Sequence, residues 1–302
     1  MITCFDQLLE VVQSRTKKRL VAAYANDSHT ISAVSMAIDL GFIDGTLVGD
    51  EETIKEVCEQ EGIDVKKFRI VQEADDTKAC FKSVEIVNKG LGDILMKGLC
   101  STDKYMRAIL NKETGLMPPK AVLSHVTVVA TPTYHKLLVV GDVAVIPMPD
   151  LNQKVAITNY VINTAKALGI EKPKVALLAA TEQMLAGMPA CVDAAIISKM
   201  ADRGQIKGAA YIDGPISLDI AIDKESAETK KLDSPVAGDA DCMVFPNIES
   251  GNVFFKTITK LSKGELAAVV MGAKAPCVLT SRGDSTASKL NSIALAALMV
   301  KQ

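Results

Sequence analysis

The chain has 302 residues, 48% hydrophobic and 23% charged, with a net charge of −2, which is ordinary globular material long enough for about two domains of roughly 150 residues. So even a charge, with no Trp and only twelve Phe and Tyr, leaves neither an electrostatic footprint for nucleic acid or an anionic membrane nor a base-stacking platform. The seven scattered cysteines, without a C-x-x-C pair, read as reduced thiols of a cytoplasmic protein, and the charged N-terminus is neither a signal peptide nor a membrane span.

Taken in chain order, short apolar runs alternate with segments of helical period. Helices are expected over 5–16, 28–40, 51–61, 75–89 and 102–111, and strands over 19–24, 44–48, 68–72 and 93–97. That βαβα rhythm predicts a parallel, doubly wound sheet. The stretch 111–120, NKETGLMPPK, holds a Gly and the pair Pro118-Pro119, which end the helix and stiffen a connection. Beyond it, 122–131 and 136–145 are β-rich runs joined by the turn-like Pro132-Thr133-Tyr134-His135, an antiparallel pair opening a second domain. Helix 153–168, strand 174–179, helix 188–203, strand 206–214, a charged helical stretch 217–231, strand 242–245 and helix 249–261 follow. The last helix, 287–300, is expected to pack back on the first domain.

Chemistry concentrates in five places. The most informative is Val269 to Ser285, VVMGAKAPCVLTSRGDS, in which two apolar runs feed the turn Thr280-Ser281-Arg282-Gly283-Asp284-Ser285. Backbone N–H groups and hydroxyls at such a turn suit an anion, Arg282 adds a planar fork of donors, and Ser or Asp also serves as a plain helix cap. The second is Lys97-Gly98-Leu99-Cys100-Ser101-Thr102, which ends a strand and opens a helix carrying Arg107. The third is Ser124-His125 in an apolar run, where the histidine reads as a core or interface residue more readily than as an acid–base group. The fourth is Asp213-Gly214-Pro215, a turn that brings backbone close to any bound molecule. The fifth, 236–252, carries Asp239 and Asp241, but no third ligand with matching spacing, so no metal site is assigned. G-x-x-x-x-G-K-[ST], G-x-G-x-x-G after the first strand, G-x-S-x-G and H-E-x-x-H are absent from the sequence.

In this order the clusters resemble the phosphate acetyl/butyryltransferase family: MKGLCSTDKYMRAIL (Met96 to Leu110), DGPISLD (Asp213 to Asp219), VAGDADCMVFPNIESGN (Val236 to Asn252) and GAKAPCVLTSRGDS (Gly272 to Ser285). The likeness spans almost the whole chain and looks closer to the butyryl branch. It implies two doubly wound α/β domains facing each other across a cleft, in an arrangement like the isocitrate/isopropylmalate dehydrogenase fold. Residues 1–118 plus 265–302 would form the first domain and 119–264 the second. It implies reversible acyl transfer between CoA and inorganic phosphate, homo-oligomers, and no cofactor beyond CoA, itself a substrate. Ser281 and Arg282 match the family's Ser-Arg pair that orients CoA and the phosphoryl group, and Arg107 matches a phosphate-holding arginine. Lys97, Ser101, Thr102, Ser124, Gly214, Lys274, Thr280 and Gly283 complete the expected binding set. The acetyl branch carries an aspartate base seven residues after the Ser. That position is Ser288 here, and the nearest carboxylate, Asp284, becomes the candidate base. A decarboxylating dehydrogenase and a non-catalytic acyl-CoA-binding module stand as alternatives.

Overall fold

The computed structural model describes residues 1–281 and 283–300. They form two compact units: residues 5–123 with 267 onward, and residues 1–4 with 124–266. The chain begins with helix α1 (Phe5–Gln13), then runs through β1 (Lys18–Ala23), α2 (Ser28–Asp39), β2 (Ile43–Gly49), α3 (Glu51–Gln60), β3 (Arg69–Gln72), α4 (Asp76–Asn88), β4 (Ile94–Lys97) and α5 (Thr102–Leu110). Each helix after a strand starts on a short polar side chain. Asp27, Asp50, Asp75 and Ser101 accept the backbone N–H of Thr30, Thr53, Lys78 and Lys104, which satisfies a donor the helix itself leaves unpaired.

The other unit holds β5 (Ser124–Ala130), β6 (Leu138–Gly141), α6 (Leu151–Ala167), β7 (Lys174–Leu178), α7 (Pro189–Asp202), β8 (Tyr211–Ile216), α8 (Leu218–Ile222), α9 (Lys224–Lys230), β9 (Cys242–Val244) and α10 (Ile248–Lys260). The chain then returns with β10 (Glu265–Met271), β11 (Cys277–Val278) and α11 (Thr286–Met299).

In the first unit the strands run in the order β3-β2-β1-β4-β11-β10, all parallel except β10, which is antiparallel to β11. The register sets Ala23 beside Lys97 and Val278 beside Met96, so the carboxyl ends of β1, β4 and β11 lie side by side. Leu20 to Ala23 and Ile94 to Met96 are wholly buried, as expected for parallel strands covered on both faces. Tyr105, also buried, donates its hydroxyl toward the carbonyls of Leu95 (3.3 Å) and Val278 (3.1 Å) and so bridges β4 and β11.

The second unit has the order β5-β6-β9-β7-β8, with β5 and β6 antiparallel, as the runs flanking residues 132–135 predict, and the remaining neighbours parallel. Three stretches differ most from the sequence reading. β6 stops at Gly141 because the buried Asp142 carboxylate folds the next residues back, accepting the N–H groups of Ala144 (2.8 Å), Val145 (2.9 Å) and Ile146 (3.3 Å). β8 starts at Tyr211, not Ile206, since the Lys207 N–H donates to the Asn159 side chain and residues 206–210 form a surface turn. The stretch 217–231 is two helices, broken at Asp223, which ends α8 and caps α9 through the Ser226 N–H. The first four residues join this unit, where the Ile2 N–H donates to the Leu168 carbonyl at 2.8 Å. Among the described residues no helix is long and apolar enough to cross a membrane.

Candidate active site

β1 has β2 on one side and β4 on the other, and the chain reaches them by connections running in opposite directions. The carboxyl ends of strands at such a switch point are where open α/β sheets bind ligands. Three loops meet there: 24–27 after β1, 98–101 after β4 and, after β11, the described residues 279–281 and 283–285. The Gly98 N–H donates to the Ala23 carbonyl (2.9 Å) and the Leu99 N–H to that of Tyr24 (2.8 Å), which seams the first two loops. His29 Nδ1 and the Thr286 hydroxyl lie 3.2 Å apart and join the first to the third. Each loop ends at a helix N-terminus, those of α2, α5 and α11, whose positive dipole ends therefore point at one polar edge.

Lys97, 2% exposed at the end of β4, donates its ammonium to the Gly98 carbonyl at 3.2 Å. Ser101 is spent on capping α5, and Thr102 is exposed on its first turn. In the third loop Ser281 and Asp284 close on each other. The Ser281 N–H donates to Asp284 Oδ2 at 2.7 Å and the Asp284 N–H returns to the Ser281 carbonyl at 3.1 Å. Thr280 is buried, Ser281 and Gly283 are exposed, and Ser285 caps α11 through the Ser288 N–H. A side chain at Gly283 would meet open space, so the glycine is not sterically required there. Arg282, the centre of the sequence reading, lies outside the described residues.

The remaining expected residues are elsewhere. Arg107 is exposed on α5 and ion-paired to Asp103 at 3.1 Å, one helical turn back. Lys274 precedes β11, at the amino end of the strand whose carboxyl end carries Thr280. Its ammonium donates to Asn88 at 2.9 Å, and it lines a depression of about 580 Å³ with Asp93 and Pro276. Ser124 and Gly214 belong to the other unit. The buried Ser124 hydroxyl donates to Asp142 Oδ2 at 2.9 Å, and His125 is buried beside Thr127, with its Nδ1 3.1 Å from that hydroxyl. Gly214 is where β8 passes β7 too closely for a side chain: a Cβ would stand 2.7 Å from Leu177 and its carbonyl oxygen. Asp239 and Asp241 are occupied by basic side chains. Asp239 meets His135 (3.0 Å), Lys136 (2.8 Å) and Lys174 (2.5 Å), and Asp241 meets Lys136 at 2.6 Å.

One expectation needs correction. Sequence spacing suggests that no cysteine sits where its pKa would fall. Cys100, however, opens α5 beside Cys80 and Lys97, and its thiol is drawn below the usual value by the hydrogen bond with Cys80 and by the Lys97 charge, against its burial. It is 1% exposed, with Sγ turned toward the Ala23 carbonyl at 3.6 Å, so it presents no nucleophile to an incoming substrate. Burial pushes the Cys277 thiol up to about 12, which keeps it protonated and inert. Sequence reasoning missed Tyr24, which takes a left-handed φ of 56° at the turn after β1, and missed Lys289, buried on the first turn of α11. A lysine leading the apolar run LNSIALAAL was the available signal for the second.

The phosphate acetyl/butaryl transferase family model matches residues 77–297. The chain is 44% identical over 299 residues to phosphate butyryltransferase of Clostridium acetobutylicum, covering 99% of both chains. It is 38% identical over 293 residues to phosphate acetyltransferase of Thermotoga maritima, covering 97% of this chain and 98% of that one. The crystal structure of a branched-chain phosphotransacylase from Enterococcus faecalis superposes with a TM-score of 0.81 at 28% identity, covering 94% of this chain and 99% of that one. The match runs through the β4–α5 and β11–α11 loops that build the polar edge, and the chain belongs to the phosphate acetyl/butyryltransferase family of acyltransferases.

Proposed function

We propose that this protein moves a short acyl group, butyryl, reversibly between CoA and inorganic phosphate, yielding acyl phosphate and free CoA. The observation that carries the reading is the meeting of Lys97–Thr102 with Thr280–Ser285. The two stretches, about 180 residues apart in sequence, form one edge of helix N-termini and hydroxyls suited to a phosphoryl group.

In the direction of CoA acylation, the thiol sulfur forms a bond to the acyl carbonyl carbon, its proton leaves to a base, and the carbon–oxygen bond to phosphate breaks. An alkyl thiol ionises near 8.5, so only a few per cent is thiolate at neutral pH, and a base or cation raises the reactive fraction. Asp284 is assigned as that base, and Ser281 and Arg282 orient CoA and the phosphoryl group, with Lys97, Ser101, Thr102, Thr280 and Gly283 around the anion. Arg107, Ser124, Gly214 and Lys274 are retained as substrate contacts on the family resemblance alone. Donors aimed at the developing oxyanion are worth roughly 3–4 kcal/mol each. Holding both substrates in line contributes up to about 7–11 kcal/mol. Transfer is direct, within a ternary complex, because neither Cys100 nor Cys277 offers an accessible thiolate. CoA enters as a substrate, and the enzyme works in the cytoplasm as a homo-oligomer. A division into domains 1–118 plus 265–302 and 119–264 is supported by the Pro118-Pro119 connection.

The test is release of thiol from acetyl-, propionyl-, butyryl- and isobutyryl-CoA on addition of phosphate. The expected outcome is phosphate-dependent release with the highest kcat/KM for butyryl-CoA. Release from none would leave a non-catalytic acyl-CoA-binding protein, and a preference for acetyl-CoA would move the chain to the acetyl branch.

A further inference from the structure

Lys289 sits on the first turn of α11, directly behind the Thr280–Ser285 turn, and is 2% exposed. Its ammonium donates one hydrogen bond, to Thr280 Oγ1 at 3.2 Å, and forms no ion pair among the described residues. An ammonium has three N–H donors and a full charge. Burying it against a single neutral hydroxyl is costly unless something else supplies a partner. The charged groups acting on it through space are Asp27, at the N-cap of α2, and Asp284, in the turn. Lys97 stands at the end of the neighbouring β4, and His29 of α2 is joined to Thr286 one turn away. Asp27 spends one oxygen capping α2, while its other oxygen and the Thr30 hydroxyl are buried without partners among the described residues. Among the described residues the Lys289 ammonium is thus buried with one hydrogen bond, to Thr280, and no ion pair, immediately behind the turn.

We propose that Lys289 is a further anion-binding group of this site. Phosphate, or the phosphoryl group of an acyl phosphate, would add to the negative charge that Asp27 and Asp284 provide only through space, and Lys289 would hold it from behind, through Thr280 and by charge. The inference rests on the acyl-transfer reading for the identity of the anion, and on the burial and bonding of Lys289 for the site.

A pH signature follows. Burial pushes the Lys289 pKa down, with Asp27 and Asp284 opposing that fall. The ammonium is present below the lowered value and is lost as the pH rises through it, so phosphate affinity declines on the alkaline side. Anion binding favours the charged form and takes up a proton there. The test is calorimetric titration of inorganic phosphate into the wild-type protein and Lys289→Met from about pH 7 to pH 10, with sulfate as an anion that does not titrate in that range. The expected result is phosphate affinity roughly tenfold or more weaker in Lys289→Met, with the wild-type alkaline decline for sulfate abolished. The KM for butyryl-CoA should stay unchanged, and the melting temperature should hold or rise, since a buried charge with no ion pair among the described residues has been removed. Equal phosphate affinity in the two proteins overturns the inference. If Lys289→Met fails to fold, Lys289→Gln carries the test: phosphate affinity roughly tenfold or more weaker supports the inference, and unchanged affinity sinks it. Should the wild type bind phosphate in this Lys289-dependent way yet release no thiol from any acyl-CoA, the acyl-transfer reading falls while the anion site stands.

Discussion

At Gly98 a methyl group would stand 2.4 Å from the carbonyl oxygen of Tyr24 and 2.9 Å from that of Ala23, both backbone atoms that cannot swing aside. Gly98→Ala therefore forces the β1 and β4 loops apart. The expected cost is about 1–3 kcal/mol of stability, read from urea unfolding, together with loss of activity in whatever remains folded. Asp284 poses a different question, because its carboxylate already accepts the Ser281 N–H. Asp284→Asn retains an acceptor for that amide but cannot take a thiol proton. The expected outcome is a flattened pH–rate profile and a kcat reduced roughly tenfold or more, on the usual scale of a general base. An unchanged profile would leave Asp284 as a turn cap. These two positions also differ in legibility. Gly98 stands out in sequence only as a small residue after a strand, and its necessity comes from a carbonyl more than seventy positions away. Lys289 differs: its position at the head of the apolar run LNSIALAAL was a local signal, but its partner Thr280 lies outside the helix.

Among elements, the helices and parallel strands could be read from period and punctuation, because each polar cap and each apolar run is a local signal. Boundaries failed where a distant or irregular partner decides. β6 ends where Asp142 gathers backbone donors, and no propensity marks that residue as a hub. The segment before β9 shows what the Asp239 and Asp241 pair does in this fold. It ties the lead-in of β9 to Lys136, just before β6, and to Lys174, which opens β7. Partial burial alone would raise the Asp239 pKa, but hydrogen bonds from Lys136 and Lys174 hold it down to about 2. A carboxylate with a depressed folded value contributes stability that is present above its unfolded pKa near 3.9 and lost as the pH falls through the folded one. Chemical denaturation of wild type and Asp239→Asn should therefore differ above about pH 4, with the variant less stable, and the gap should close toward about pH 2. A gap independent of pH would mean that Asp239 acts through packing.

For the whole chain, the family was legible because its motifs are long and ordered: the four stretches quoted from sequence reach from Met96 to Ser285, almost the full span of the matched region. Geometry was less so. The sequence reading placed Lys274 and Thr280 together in the expected binding set, yet a short strand separates them and carries them to its opposite ends. Ligand protection tests the overall assignment. A ligand bound only by the native state stabilises it by about 2.7 kcal/mol at a concentration of one hundred times its Kd. CoA at that excess should raise the melting temperature, whereas NADH at the same concentration should not. The reverse pattern would favour the dehydrogenase alternative.

The polar edge is assembled from three stretches, and the last of them, β11 with α11, follows β4 in the chain only after the whole of the other unit. On a ribosome the nascent chain would carry β4 with an open flank until residues near 300 emerge, even though every other strand neighbouring β1 and β4 was made much earlier. A message cut short after β10 would therefore yield a polypeptide with two of the three loops of the polar edge and one side of β4 unpaired.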